Sequence, residues 1–64
     1  MYLLQSTITD GIFIKQLDNS FIHYLIVDER TKATTFKTKE QARIAKKNLK
    51  YSHIHTKYFK IVEL

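Results

Sequence analysis

A chain of 64 residues forms one domain, 1–64, with a small core, and its lack of cysteine leaves it neither a disulfide nor a thiolate zinc site as a staple. Apolar residues make up 44% of it, with one Gly and no Pro, which excludes a disordered chain; the longest apolar run, Tyr24 to Val27, is far short of the roughly 20 residues of a membrane span. The net charge of +5 is uneven: residues 1–31 carry two bases against four acids and residues 32–64 nine bases against two, leaving −2 and +7.

In chain order, the first half reads as strands and turns. "YLLQSTI" at 2–8 and "IFIKQL" at 12–17 flank Thr9, Asp10 and Gly11, and an Asp-Gly pair between β-rich runs is a hairpin signal because Gly accepts a positive φ. "DNS" at 18–20 is a second turn, since Asp and Asn bond their own backbone. It leads to a third strand, "FIHYLIVD" at 21–28. The polar "ERTK" at 29–32 turns the chain into "ATTF", a short β-branched run expected antiparallel to the third strand.

A helix starts at Thr38. Thr38 followed three residues later by Gln41 is a capping-box spacing, in which the hydroxyl accepts a first-turn amide and the Gln reaches back to the cap's own amide. From there to Lys50, Ala42, Ala45 and Leu49, with Ile44 at the margin, form an apolar stripe at helical spacing. The chain closes on "KYFKIVEL", read as a last strand over 57–63. The expected fold class is α+β: an antiparallel β-meander of three to four strands, then one amphipathic helix packed on one sheet face, then a C-terminal strand.

Counting apolar faces points to a partner. Side chains alternate along a strand, yet the third strand is apolar on both faces, with Phe21, Leu25 and Val27 on one and Ile22, Tyr24 and Ile26 on the other. A single helix cannot cover both faces. Exposed apolar patches mark interaction sites, so a homodimer through the second face or an edge strand is expected.

The run "FIHYLIVDERTKATTFKTKEQARIAKKNL", residues 21–49, resembles the arm-type DNA-binding domain of phage and transposon tyrosine recombinases, where a three-stranded sheet precedes "F-x-T-K-x-x-A" opening a helix. That resemblance implies a sheet entering the major groove, with DNA contacts from Lys15, His23, Arg30, Lys32 and Thr34. The whole chain, with "FKTKEQA" and the closing "YFKIVEL", is similar to short accessory proteins of Gram-positive phages and prophages. That similarity implies an accessory or host-modulating role and no common activity. The motif also has an architectural reading, with Phe36 stapling onto the helix and Thr38 capping it.

Arg43, Lys46, Lys47 and Lys50 recur at three- and four-residue steps, with Lys39 on the same side. A solvated surface usually mixes Glu with Lys; here Glu40 is the sole acid of the helix and sits where it complements the dipole. Unpaired like charges on one face repel, and phosphate contact relieves that repulsion while releasing counterions. His53 and His55 read as a surface pair rather than metal ligands, because a zinc site needs three or four donors. Enzymatic chemistry finds no footing: there is no cysteine nucleophile or Gly-rich loop, and the acids of the first half fall in turns. The expected function is a small non-enzymatic nucleic-acid-binding accessory protein contacting phosphates through Arg43, Lys46, Lys47, Lys50, Lys39 and Lys32. Tyr24, Tyr51, Tyr58 and Phe59 are its candidate stacking aromatics. The alternative is a protein-interaction module, a modulator or inhibitor of a host protein, binding through an exposed sheet face or edge strand. No cofactor or metal is expected. The start "MYLLQSTITD" lacks the basic n-region and long apolar core of a signal peptide, so a cytoplasmic setting with no membrane partner is expected.

Overall fold

The computed structural model describes residues 1–64 and shows the α+β class read from the sequence. Its strands are β1 (Tyr2–Ser6), β2 (Phe13–Gln16), β3 (Tyr24–Val27) and β4 (Phe59–Glu63), and its helix is α1 (Lys39–Asn48). Short 3₁₀ turns occupy Arg30–Lys32, Leu49–Ser52 and Thr56–Tyr58. The sheet order is β3-β2-β1-β4 and every pairing is antiparallel, so the last strand lies beside the first. Tyr2 to Ser6 pair in full with Glu63 to Phe59, and the Leu64 amide closes the ladder on the Met1 carbonyl at 2.9 Å.

The strands are shorter than their β-rich runs for identifiable reasons. Ser6 Oγ accepts the amides of Ile8 and Thr9 at 3.2 and 3.1 Å, drawing those residues out of β1 into a loop where Gly11 has φ +79°. The tighter turn lies between β2 and β3. Asp18 and Asn19 have φ of 53° and 55°, and the Ser20 amide bonds the Leu17 carbonyl at 2.8 Å, as in the primed turns whose twist suits a hairpin. Residues 21–23 swing out before β3 begins, with the Tyr24 hydroxyl donating to the Phe21 carbonyl at 2.9 Å.

The placement of "ATTF" differs from the expectation: it does not pair with β3. β1 and β2 share one Cα register pair, Gln5 with Phe13, and then diverge. Residues 34–36 fill the gap. Thr34 donates its amide to the Ile14 carbonyl at 3.1 Å and accepts the Gln16 amide on Oγ1 at 2.7 Å, while Phe36 exchanges both backbone bonds with Tyr2 at 2.7 and 2.9 Å. A β-branched run specifies extended backbone but not its neighbour. Here the diverging strands leave unpaired amides that only this segment can reach.

Opposite faces of the sheet are covered very differently. On one, Leu4, Ile14, Tyr24, Phe36 and Phe59 pack with Ala42, Ala45 and Leu49 of the helix and with Ile54. The two alanines let the helix axis approach the strands closely. Leu3 and Phe13, one residue out of phase, point away from this core, yet they are only 1% and 8% exposed. The crossover from β3 to the helix passes there, and Arg30 shares a shallow groove of about 290 Å³ with Leu3, Phe13 and Val62. No helix covers that side.

Candidate nucleic-acid interface

The α1 rotation is fixed by Ala42, Ala45 and Leu49, which are buried. At the N-terminus Thr38 Oγ1 accepts the Gln41 amide at 3.1 Å, as the spacing predicts, whereas Gln41 Oε1 accepts the Lys37 amide at 3.1 Å rather than that of Thr38. With this rotation, Lys39, Arg43, Lys46 and Lys47 follow one another along a flank of the helix, and the 3₁₀ extension carries Lys50 onward. Lys46 is half-buried and the others are exposed.

One charge on this flank is paired after all. Arg43 Nη1 lies 3.2 Å from Glu40 Oε2, but both side chains are more than 60% exposed, and an ion pair so open to water leaves the guanidinium free to exchange partners. Lys32 stands apart from the flank, on the crossover, 3.9 Å from Glu29. These are the two ion pairs in the chain, so nine of its eleven Lys and Arg residues have no carboxylate partner.

The helix end builds a cleft that sequence reasoning did not assemble. After the 3₁₀ turn, His53 takes a left-handed conformation, φ 59°, with its amide on the Lys50 carbonyl at 3.1 Å and the Ile54 amide on the Leu49 carbonyl at 3.2 Å. This is the Schellman closure, which glycine usually provides because any other residue carries a Cβ into a crowded backbone region. The reversal folds His53, His55 and Thr56 back against Lys47 and Lys50, enclosing with Ile54 an open cleft of about 590 Å³. Two ammonium groups, two imidazoles and a hydroxyl line it, and no carboxylate does. Such a lining offers hydrogen-bond donors and positive charge, the requirements of a phosphate oxygen. The sequence signal for it was a His-x-His-Thr run just past a lysine-rich helix end, but only the left-handed turn makes those groups converge. No cluster of three or more His, Cys, Asp or Glu side chains stands together anywhere in the chain.

Among the aromatics, Tyr51 and Tyr58 are exposed, and each carries a lysine ammonium over its ring, Lys50 at 5.2 Å and Lys57 at 5.0 Å. Tyr24 and Phe59 are buried, so neither can stack on a base, contrary to expectation. Loss of water around the Tyr24 hydroxyl raises its pKa above the ordinary 10.0. Of the strand residues that a sheet-reading mode would use, Lys15, His23, Arg30 and Lys32 are exposed, whereas Thr34 is committed to the Gln16 amide. No helix is long and apolar enough to cross a membrane. Compared with family models, curated proteins and solved structures, the chain matches none.

Proposed function

We propose that the protein is a non-enzymatic nucleic-acid-binding accessory protein that holds backbone phosphates along the α1 flank and in the adjoining cleft. The observation carrying this reading is the convergence of Lys47, Lys50, His53, His55 and Thr56 on one carboxylate-free cleft, continuous with Lys39, Arg43 and Lys46. Phosphate contacts position a protein on a strand without reading its sequence. Tyr58, edge-on to His55 of the cleft, and Tyr51, beneath the Lys50 ammonium, are exposed and supply faces on which unpaired bases stack, favouring a single-stranded target. Lys32 lies off this surface and is left out of the site.

The test is binding of mixed-sequence single-stranded and duplex oligonucleotides at about 50 mM salt, where several phosphate contacts give measurable affinity, followed by a salt titration. The reading predicts a steep fall of affinity with salt and tighter binding of single strands; absence of binding at low salt refutes it. A second reading, a module that grips a host protein, is favoured by the sheet face without a helix. Alternation puts Leu25, Val27 and Val62 there beside Lys15 and Lys60. That complex would resist salt and survive charge reversal on the helix.

A further inference from the structure

We infer that β3 pairs edge to edge with β3 of a second copy, joining two four-stranded sheets into one continuous sheet. The pattern of backbone bonds in β3 carries the inference. The Leu17 amide bonds the His23 carbonyl, so odd-numbered residues of this strand turn their backbone groups to β2 and even-numbered ones turn theirs outward. Ser52 satisfies the first outward groups, its Oγ accepting the Tyr24 amide at 2.9 Å and donating to the Ile22 carbonyl at 2.7 Å. Left facing outward are the Tyr24 carbonyl, both groups of Ile26, and the amide of Asp28. That set is self-complementary in an antiparallel pairing centred on Ile26. Ile26 exchanges both bonds with the partner's Ile26, and each Tyr24 carbonyl receives the Asp28 amide of the other copy.

The side chains agree. Phe21 is 66% exposed, Leu25 48% and Ile26 54%, with Ile22 close behind, although all are large and apolar. Four such side chains leave on the order of 400 Å² of apolar surface per chain, about half of a standard interface's share per partner, and the paired backbones add to it. Protection of this edge is partial: Ser52 covers its first groups and the strand is short, but it has no lysine, proline or bulge, the other usual devices against edge pairing. The opposite edge, β4, has Lys60, with Lys57 in the turn just before it. Charge selects the same surface, because residues 16–29 contain no Lys or Arg, so two chains of +5 can meet there without opposing their lysines. The twofold axis of this pairing is perpendicular to the sheet, so both helices, and both basic flanks, lie on one face of the dimer.

Sedimentation equilibrium of the full chain tests this. The expected species is about 15 kDa, twice the 7.6 kDa chain, and Ile26→Lys returns it to the single-chain mass with its circular dichroism unchanged. As a second test, Ile26→Cys in this cysteine-free chain forms an intermolecular disulfide under mild oxidation, since hydrogen-bonded antiparallel residues lie about 5.5 Å apart at Cα, within reach of the bond. The control Ile8→Cys, in the β1–β2 loop, cross-links much more slowly. A single-chain mass at high micromolar concentration, a dimer indifferent to Ile26→Lys, or equal cross-linking at both positions overturns the inference. None of these outcomes depends on whether the cleft binds nucleic acid.

Discussion

The two faces of the sheet bury side chains to different extents and by different means. On the helix side, Leu4, Ile14 and Leu49 are fully buried in one cluster built from every part of the chain. On the other, Leu3 is just as inaccessible, but its cover is an irregular crossover with no helix or second sheet layer. The helix is fully committed to one face by its two alanines, so the opposite face is left to short-range cover and the β3 half stays exposed.

The sharpest test of that comparison is truncation on each side. Leu49→Ala removes a fully buried side chain next to two alanines that cannot expand, and should cost about 3 kcal/mol in urea unfolding, much of the stability a domain of this size has. Leu3→Ala should cost about 2 kcal/mol despite lying off the core cluster. If it costs less than about 0.5 kcal/mol, as an exposed substitution would, the crossover provides no real packing at Leu3.

Charge reversal probes the same division for binding. Lys47→Glu with Lys50→Glu should weaken nucleic-acid affinity by about a hundredfold at low salt and flatten the log-log salt dependence by about 2, one unit for each phosphate that is no longer neutralised. Lys15→Glu with Lys60→Glu, on the helix-free face, should change affinity far less. The reverse ranking would move the site to the sheet.

Smaller effects refine the picture at single residues. Thr38→Ala should cost about 1 kcal/mol by thermal or urea unfolding, because it strips the Gln41 amide of its cap. His53→Gly should raise stability by about 0.5 kcal/mol, relieving a left-handed residue that is not glycine, while lowering affinity for nucleic acid. A gain in stability with unchanged affinity would show that the imidazole has no part in the cleft. Least of all, burial of Tyr24 favours its neutral hydroxyl in the fold. The stability this provides is complete below pH 10.0 and is lost as the pH rises from there through the higher folded value, a loss that Tyr24→Phe should remove from an alkaline unfolding series.

Legibility of the sequence followed the range of the interaction that decides each feature. The Thr38 to Gln41 bond is local, so the cap and the start of α1 could be read from spacing, as could the buried Ala42, Ala45 and Leu49. Thr34 and Phe36 find partners 18 to 34 residues away, at Ile14, Gln16 and Tyr2, and nothing in "ATTF" names them. The basic flank was visible as a periodicity. The cleft was not, because His53 adopts a conformation that the usual glycine marker would have announced. Tyr24 and Phe59 show the converse error: an aromatic in a strand says nothing of which face it occupies until the register is known.

The divergence of β1 from β2 has a consequence in time. The sheet is two ladders, a local β2–β3 hairpin and a β1–β4 pair whose members are separated by almost the whole chain, bridged at Gln5 with Phe13 and by the inserted residues 34–36. Hairpins form within about 10 μs, whereas contacts of long sequence separation must first meet the entropy of closing the intervening loop. The hairpin therefore waits for the rest of its own sheet. During that wait both of its edges are open, the β2 edge that β1 and residues 34–36 later cover and the β3 edge, Tyr24 to Asp28, that stays outward.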